Sequence, residues 1–110
     1  MNDCVFCKII NGEIPSTKVY EDDKVLAFND INPIAPIHIL VVPKQHLDSF
    51  MDLEDEELLV HIHKIIKQIA KEKEMDEKGF RVLTNIGEDG GQAVKHLHFH
   101  ILGGTKLPTR

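Results

Sequence analysis

The segment from Lys95 to Leu102 reads Lys-His-Leu-His-Phe-His-Ile-Leu, a strict alternation of imidazole and apolar side chains. Side chains along a strand point alternately to opposite faces, so residues 95–102 are read as a strand. His96, His98 and His100 then share one face, while Leu97, Phe99 and Ile101 share the other. The apolar face needs a packing partner. The histidine face needs an explanation. A core face accepts three imidazoles only with a dedicated hydrogen-bond network, and a plain solvent face is served as well by Lys, Glu or Thr. One histidine in a strand is ordinarily a satisfied or surface residue; three in register point to a site.

The packing partner is a helix over residues 53–74. Leu58, Ile62, Ile65, Ile66 and Ile69 recur at helical spacing and give it one apolar face. Asp52 is placed to cap it, and Glu54, Asp55, Glu56 and Glu57 fall in its first turn, where the helix dipole favours acids. Lys71 and Lys73 suit its far end, and Gly79 closes the connection that follows. A shorter helix is expected over residues 5–10, stopped by Gly12 and Pro15. Further strands are expected over residues 18–20, 24–28, 37–42 and 80–85, the third being a β-rich run bracketed by Pro36 and Pro43. Strands on both sides of one long helix, without regular alternation, predict an α+β fold. Its sheet is mainly antiparallel, of about five strands, with one long and one short helix in a single domain spanning residues 1–110.

Charge narrows the partners. A formal net charge of −5 argues against a nucleic-acid polymer, which needs a concentrated basic face. It does not argue against a mononucleotide, since a few local donors hold one phosphate. No apolar run approaches the ~20 residues of a membrane span. Met1-Asn2-Asp3-Cys4 lacks the basic-then-apolar order of a secretory signal, so a cytosolic location is expected. There the two cysteines are thiols or metal ligands in preference to a structural disulfide.

Two chemistries suit the histidine row. Imidazoles at His-x-His spacing collect a metal, or one neutral imidazole acts as nucleophile while its neighbours orient it and stabilise charge. Directly upstream lies Gly87-Glu88-Asp89-Gly90-Gly91-Gln92-Ala93-Val94. Alone it reads as a hairpin connection. Before a histidine strand, its glycines allow close backbone approach to an anion. Cys4-Val5-Phe6-Cys7 has zinc-ligand spacing but supplies only half of a tetrahedral site. His61 and His63 lie two apart on the long helix, point to different sides and are read as ordinary helix residues.

His96-Leu97-His98-Phe99-His100-Ile101-Leu102 resembles the His-φ-His-φ-His-φ-φ motif (φ apolar) of the histidine triad family. Residues 6–15, 26–36, 38–46 and 90–104 resemble its Hint branch, the purine nucleoside phosphoramidases. The resemblance implies that His98 attacks the α-phosphate, leaving a nucleotidyl-histidine that water cleaves. It implies that His100 contacts phosphate oxygens, that His38 supports the nucleophile, and that Gln92, the Val94 N–H and Asn85 lie on the phosphate side. Ala93 stands where many relatives carry Ser. The nucleoside falls on Phe6, Ile14, Phe28, Asn29, Asp30, Ile31 and Leu40, with Asp30 accepting from the ribose hydroxyls. Without the resemblance, Phe28 and Leu40 read as core and Asp30 as a turn residue. Cys4 and Cys7 are implied to complete a structural zinc site with His46 and His96; no catalytic metal is expected, and a homodimer is. Alternatives are dinucleoside polyphosphate hydrolysis or nucleotidyl transfer by the same nucleophile, a nucleotide-binding module with vestigial activity, and a zinc hydrolase ligated by His96, His98 and His100.

Overall fold

The computed structural model describes residues 3–109. The short helix forms as α1, Val5–Ile10. Strands β1 (Lys18–Glu21), β2 (Val25–Asn29) and β3 (Ile37–Pro43) follow, then helix α2 (Glu56–Glu72) and strands β4 (Arg81–Leu83) and β5 (Phe99–Gly103). The five strands form one sheet in the order β1-β2-β3-β5-β4, and every neighbouring pair is antiparallel. The α+β architecture is therefore the one the sequence predicts.

Alternation along each strand sorts side chains into two layers. Val25 and Ala27 of β2, Ile39 and Val41 of β3, and Phe99 and Ile101 of β5 join Leu58, Ile62, Ile65, Ile66 and Ile69 of α2 in the larger core, with Leu97. On the opposite face Leu26, Phe28, Leu40 and Val42 pack with Phe6 and Ile9 of α1. The three histidines belong to this second, smaller layer. Burial on both faces explains why β2 and β3 read as continuous apolar runs.

Several boundaries differ from expectation. The long helix starts at Glu56, three residues late, because Asp55 is its cap: its carboxylate accepts from the N–H groups of Glu57 and Leu58. Asp52 instead closes a capping box with Ser49 on a single 3-10 turn, Phe50–Asp52. The helix ends at Glu72, and Glu74 then adopts a left-handed φ of 59°. The histidine strand is shorter than its alternation, since ladder pairing begins only at Phe99. Residues 96–98 keep the alternating placement without being in the ladder. Likewise β4 covers three residues of the expected six. Among the described residues, no helix is long and apolar enough to cross a membrane.

Candidate active site

His98 is 5% exposed, and its Nδ1 lies 2.7 Å from the His96 carbonyl oxygen. A carbonyl only accepts, so Nδ1 carries the proton and Nε2 is left with its lone pair. The Phe6 ring stands edge-on to the imidazole, with centroids 5.0 Å apart, and the His100 ring centroid also lies 5.0 Å away. The backbone here lies beyond the β5 ladder. The Thr84 hydroxyl steps in, donating to the His98 carbonyl at 2.7 Å. Thr84 was not singled out by sequence; only its place just past β4, opposite the histidine strand, could have marked it.

His38 comes from β3, the central strand, where Leu102 is its register partner. Its Nδ1 accepts from the Ile34 N–H at 3.2 Å, and its Nε2 lies 2.9 Å from His100 Nδ1 and 3.4 Å from an Asp30 carboxylate oxygen. Burial pushes the pKa of His38 down, against the opposing pull of Asp30. Burial, helped by the neighbouring His98 and His38, pushes His100 down to about 4. Both imidazoles are therefore neutral at pH 7.

Asp30 has two partners. One carboxylate oxygen faces His38, and the other accepts from the Asn32 N–H at 2.8 Å, forming an Asx turn. Phe6, Phe28 and Leu40 are buried core residues, Ile14 and Val94 pack against that core from its margin, and Ile31 is 87% exposed on the loop after Asn29. Asn85 and Gln92 are engaged within the glycine loop itself. Asn85 donates to the Gly90 carbonyl at 2.8 Å. Gln92 donates to the carbonyls of Asp48 and Val94 and accepts from the Gly87 N–H. Both amides brace the glycine loop. That loop needs its glycines: a Cβ on Gly90 would run into the Ile86 carbonyl, and Gly91 has φ of 78°.

His96 turns the other way. It is fully buried, its Nε2 donates to the Pro43 carbonyl at 2.9 Å, and its Nδ1 lies 3.3 Å from Cys4 Sγ and 3.5 Å from Cys7 Sγ. His46 Nδ1 is 3.2 Å from Cys7 Sγ, with its Nε2 held 3.0 Å from the Asp48 carboxylate. The four ligand atoms of Cys4, Cys7, His46 and His96 all lie within 4.8 Å of one another. A tetrahedral zinc ion, with bonds of about 2.3 Å to sulfur and 2.0 Å to nitrogen, sets neighbouring S and N atoms about 3.5 Å apart. Both histidines present Nδ1 inward while an outer acceptor fixes the opposite N–H, the usual arrangement around a ligating imidazole. The donor set therefore fits such an ion. Among the described residues, the side chains close enough to share a metal are this set and Asp30, His38 and His100; His96, His98 and His100 do not form such a group, which removes the geometric basis for a three-histidine centre.

An antiparallel sheet carrying a row of histidines on a face backed by one short helix defines a histidine triad protein. Residues 11–107 match the HIT domain family, and the chain belongs to the HIT family. It is 46% identical over 102 residues to a HIT-like protein of Helicobacter pylori, covering 93% of this chain and 97% of that one. Among solved structures it resembles a histidine triad protein from Clostridium difficile (65% identity, TM-score 0.95, covering 100% of this chain and 97% of that one). It also resembles a HIT family hydrolase from Clostridium thermocellum (44% identity, TM-score 0.94, with the same coverage).

Proposed function

We propose that the chain hydrolyses purine nucleoside phosphoramidates through a covalent nucleotidyl-histidine on His98. The observation that carries this reading is the 2.7 Å contact from His98 Nδ1 to the His96 carbonyl, which leaves the Nε2 lone pair as the reactive one. In the proposed reaction Nε2 attacks the α-phosphorus, the P–N bond breaks and the amine departs with a proton taken up from solvent, which the later attack by water returns. Water then attacks the same phosphorus, releasing the nucleoside monophosphate and restoring neutral His98. His100 contacts the phosphate oxygens and His38 holds His100. Asp30 accepts from the ribose, with the base against the margin of the Phe6, Phe28 and Leu40 layer. Gln92 and Asn85 support the phosphate site by shaping the glycine loop. The Clostridium thermocellum relative, described as a hydrolase, supports the reaction class.

The same reading gives Cys4, Cys7, His46 and His96 a structural zinc ion, which would tie α1 to the end of the histidine strand and take no part in the chemistry. Thiolate ligation belongs in a reducing compartment, consistent with the cytosol. A homodimer is supported by the short edge strand β4 with Val82 and Ile86 exposed beside it. Light scattering at twice the chain mass would bear it out, and a monomer would exclude it.

The direct test is hydrolysis of an adenosine phosphoramidate by wild type and His98→Ala, each with chelator present. Turnover by wild type alone is expected. Turnover by His98→Ala would refute the nucleophile, and loss of wild-type turnover in chelator with an unchanged melting temperature would refute metal-independent chemistry.

A further inference from the structure

His38 and His100 share one short N···N contact of 2.9 Å, and such a contact is satisfied in either direction. His38 can donate from Nε2 to His100 Nδ1, or accept from it. The direction matters, because it decides whether His100 turns a proton or a lone pair toward the open face. One neighbour breaks the symmetry. The backbone N–H of Ile34, 3.2 Å from His38 Nδ1, can only donate. It leaves His38 with its proton on Nε2, which is then donated to His100 Nδ1, so the His100 proton resides on Nε2.

We propose that the Ile34 N–H is a positioning group that fixes the tautomers of His38 and His100, so that His100 presents an N–H to the substrate phosphate. This rests on the reading of His100 as the phosphate contact. Asp30, 3.4 Å from His38 Nε2, favours the same tautomer. In the nucleotide reading, however, its carboxylate is shared with the ribose hydroxyls, whereas the amide keeps a single acceptor. The loop is built to hold that amide still. Pro33 and Pro36 flank it with fixed φ, the Asx turn at Asp30 closes its start, and the Asp30 N–H bonds the His38 carbonyl at 3.0 Å across it. The Ile34 side chain is 76% exposed, so the backbone group is what the site uses.

The test replaces Ile34 by its α-hydroxy acid, exchanging the amide for an ester, with Ile34→Ala as the control that keeps the N–H. Ring nitrogen-15 NMR reads the tautomers directly. Wild type and Ile34→Ala should show His100 protonated at Nε2 only, and the ester protein a mixed or reversed pattern. Losing one preorganised donor outright costs about 10²–10³ in kcat. A mixture of tautomers should therefore lower kcat on an adenosine phosphoramidate roughly tenfold, with little change in KM. Ile34→Pro removes the same N–H should the ester protein fail to fold. An unchanged His100 tautomer in either variant overturns the proposal whatever the activity. Absence of phosphoramidate turnover in wild type would overturn the functional reading while the NMR still decides the tautomer question.

Discussion

The imidazoles of this site differ in which nitrogen is committed and to what kind of partner. His98 and His96 each donate to a carbonyl, Nδ1 in one and Nε2 in the other, so neighbouring members of one row point opposite nitrogens at their surroundings. In the proposed reaction Nε2 of His98 is the one left for an electrophile, while His96 turns Nδ1 to the thiols. His100 is distinguished by charge. Burial, with His98 and His38 beside it, lowers its pKa from 6.5 to about 4. The unfolded chain therefore binds more protons between those values, so this contribution to stability is complete above about pH 6.5 and is lost as pH falls toward 4. A carbon-bound ring-proton NMR titration should show His100 charging near pH 4, and His100→Gln should flatten the loss of melting temperature over that window. Titration of His100 near 6.5 would contradict its burial. The row of histidines and its division into faces were legible in sequence, because strand alternation is a one-dimensional rule. The partners that set each proton were not: the Pro43 carbonyl lies 53 positions along the chain from the His96 ring, and the Ile34 N–H, though only four positions from His38, reaches its ring through a loop fold that no periodicity announces.

Helix α2 shows where local signals compete. Asp52 and Asp55 both qualify as caps, and position alone does not choose between them. Ser49 decides it by forming a capping box with Asp52, which closes a separate 3-10 turn and passes the helix start to Asp55. Asp55→Ala should cost about 1 kcal/mol of stability, the usual value of an N-cap, measured by urea denaturation; an equal loss from Asp52→Ala would contradict the assignment. The apolar stripe was legible because it repeats five times. The role of His61 was not, since its partner Asp22 sits in the β1–β2 turn, 2.7 Å away. Burial alone would raise the Asp22 carboxyl, but hydrogen bonds from Tyr20, the Lys24 and Val25 amides and His61 hold it below the usual carboxylate range. His61 thus ties α2 to the sheet edge.

Across the whole molecule, the sheet separates a large apolar layer against α2 from a small layer that carries the candidate site. The small layer is covered mainly by the six residues of α1, too short a helix to be stable alone; Phe6 and Ile9 seat it in that layer, and in the proposed zinc reading the cysteine–histidine cluster fastens it further. Cys4→Ser with Cys7→Ser should therefore lower the melting temperature by about 5–10 °C, the shift expected from the loss of one to two kcal/mol in a domain of this size. Chelator should lower wild type comparably and leave the variant unmoved; equal chelator sensitivity in both would place the metal elsewhere. The central claim is that His98 becomes covalently bonded to the nucleotide. Rapid quenching of wild type with an adenosine phosphoramidate, then peptide mapping in alkali, where the phosphorus–nitrogen bond survives, tests it most directly. The account predicts an adenylyl group on the peptide at His98 and none in His98→Ala. Turnover with no adduct, or an adduct on His100, would contradict it.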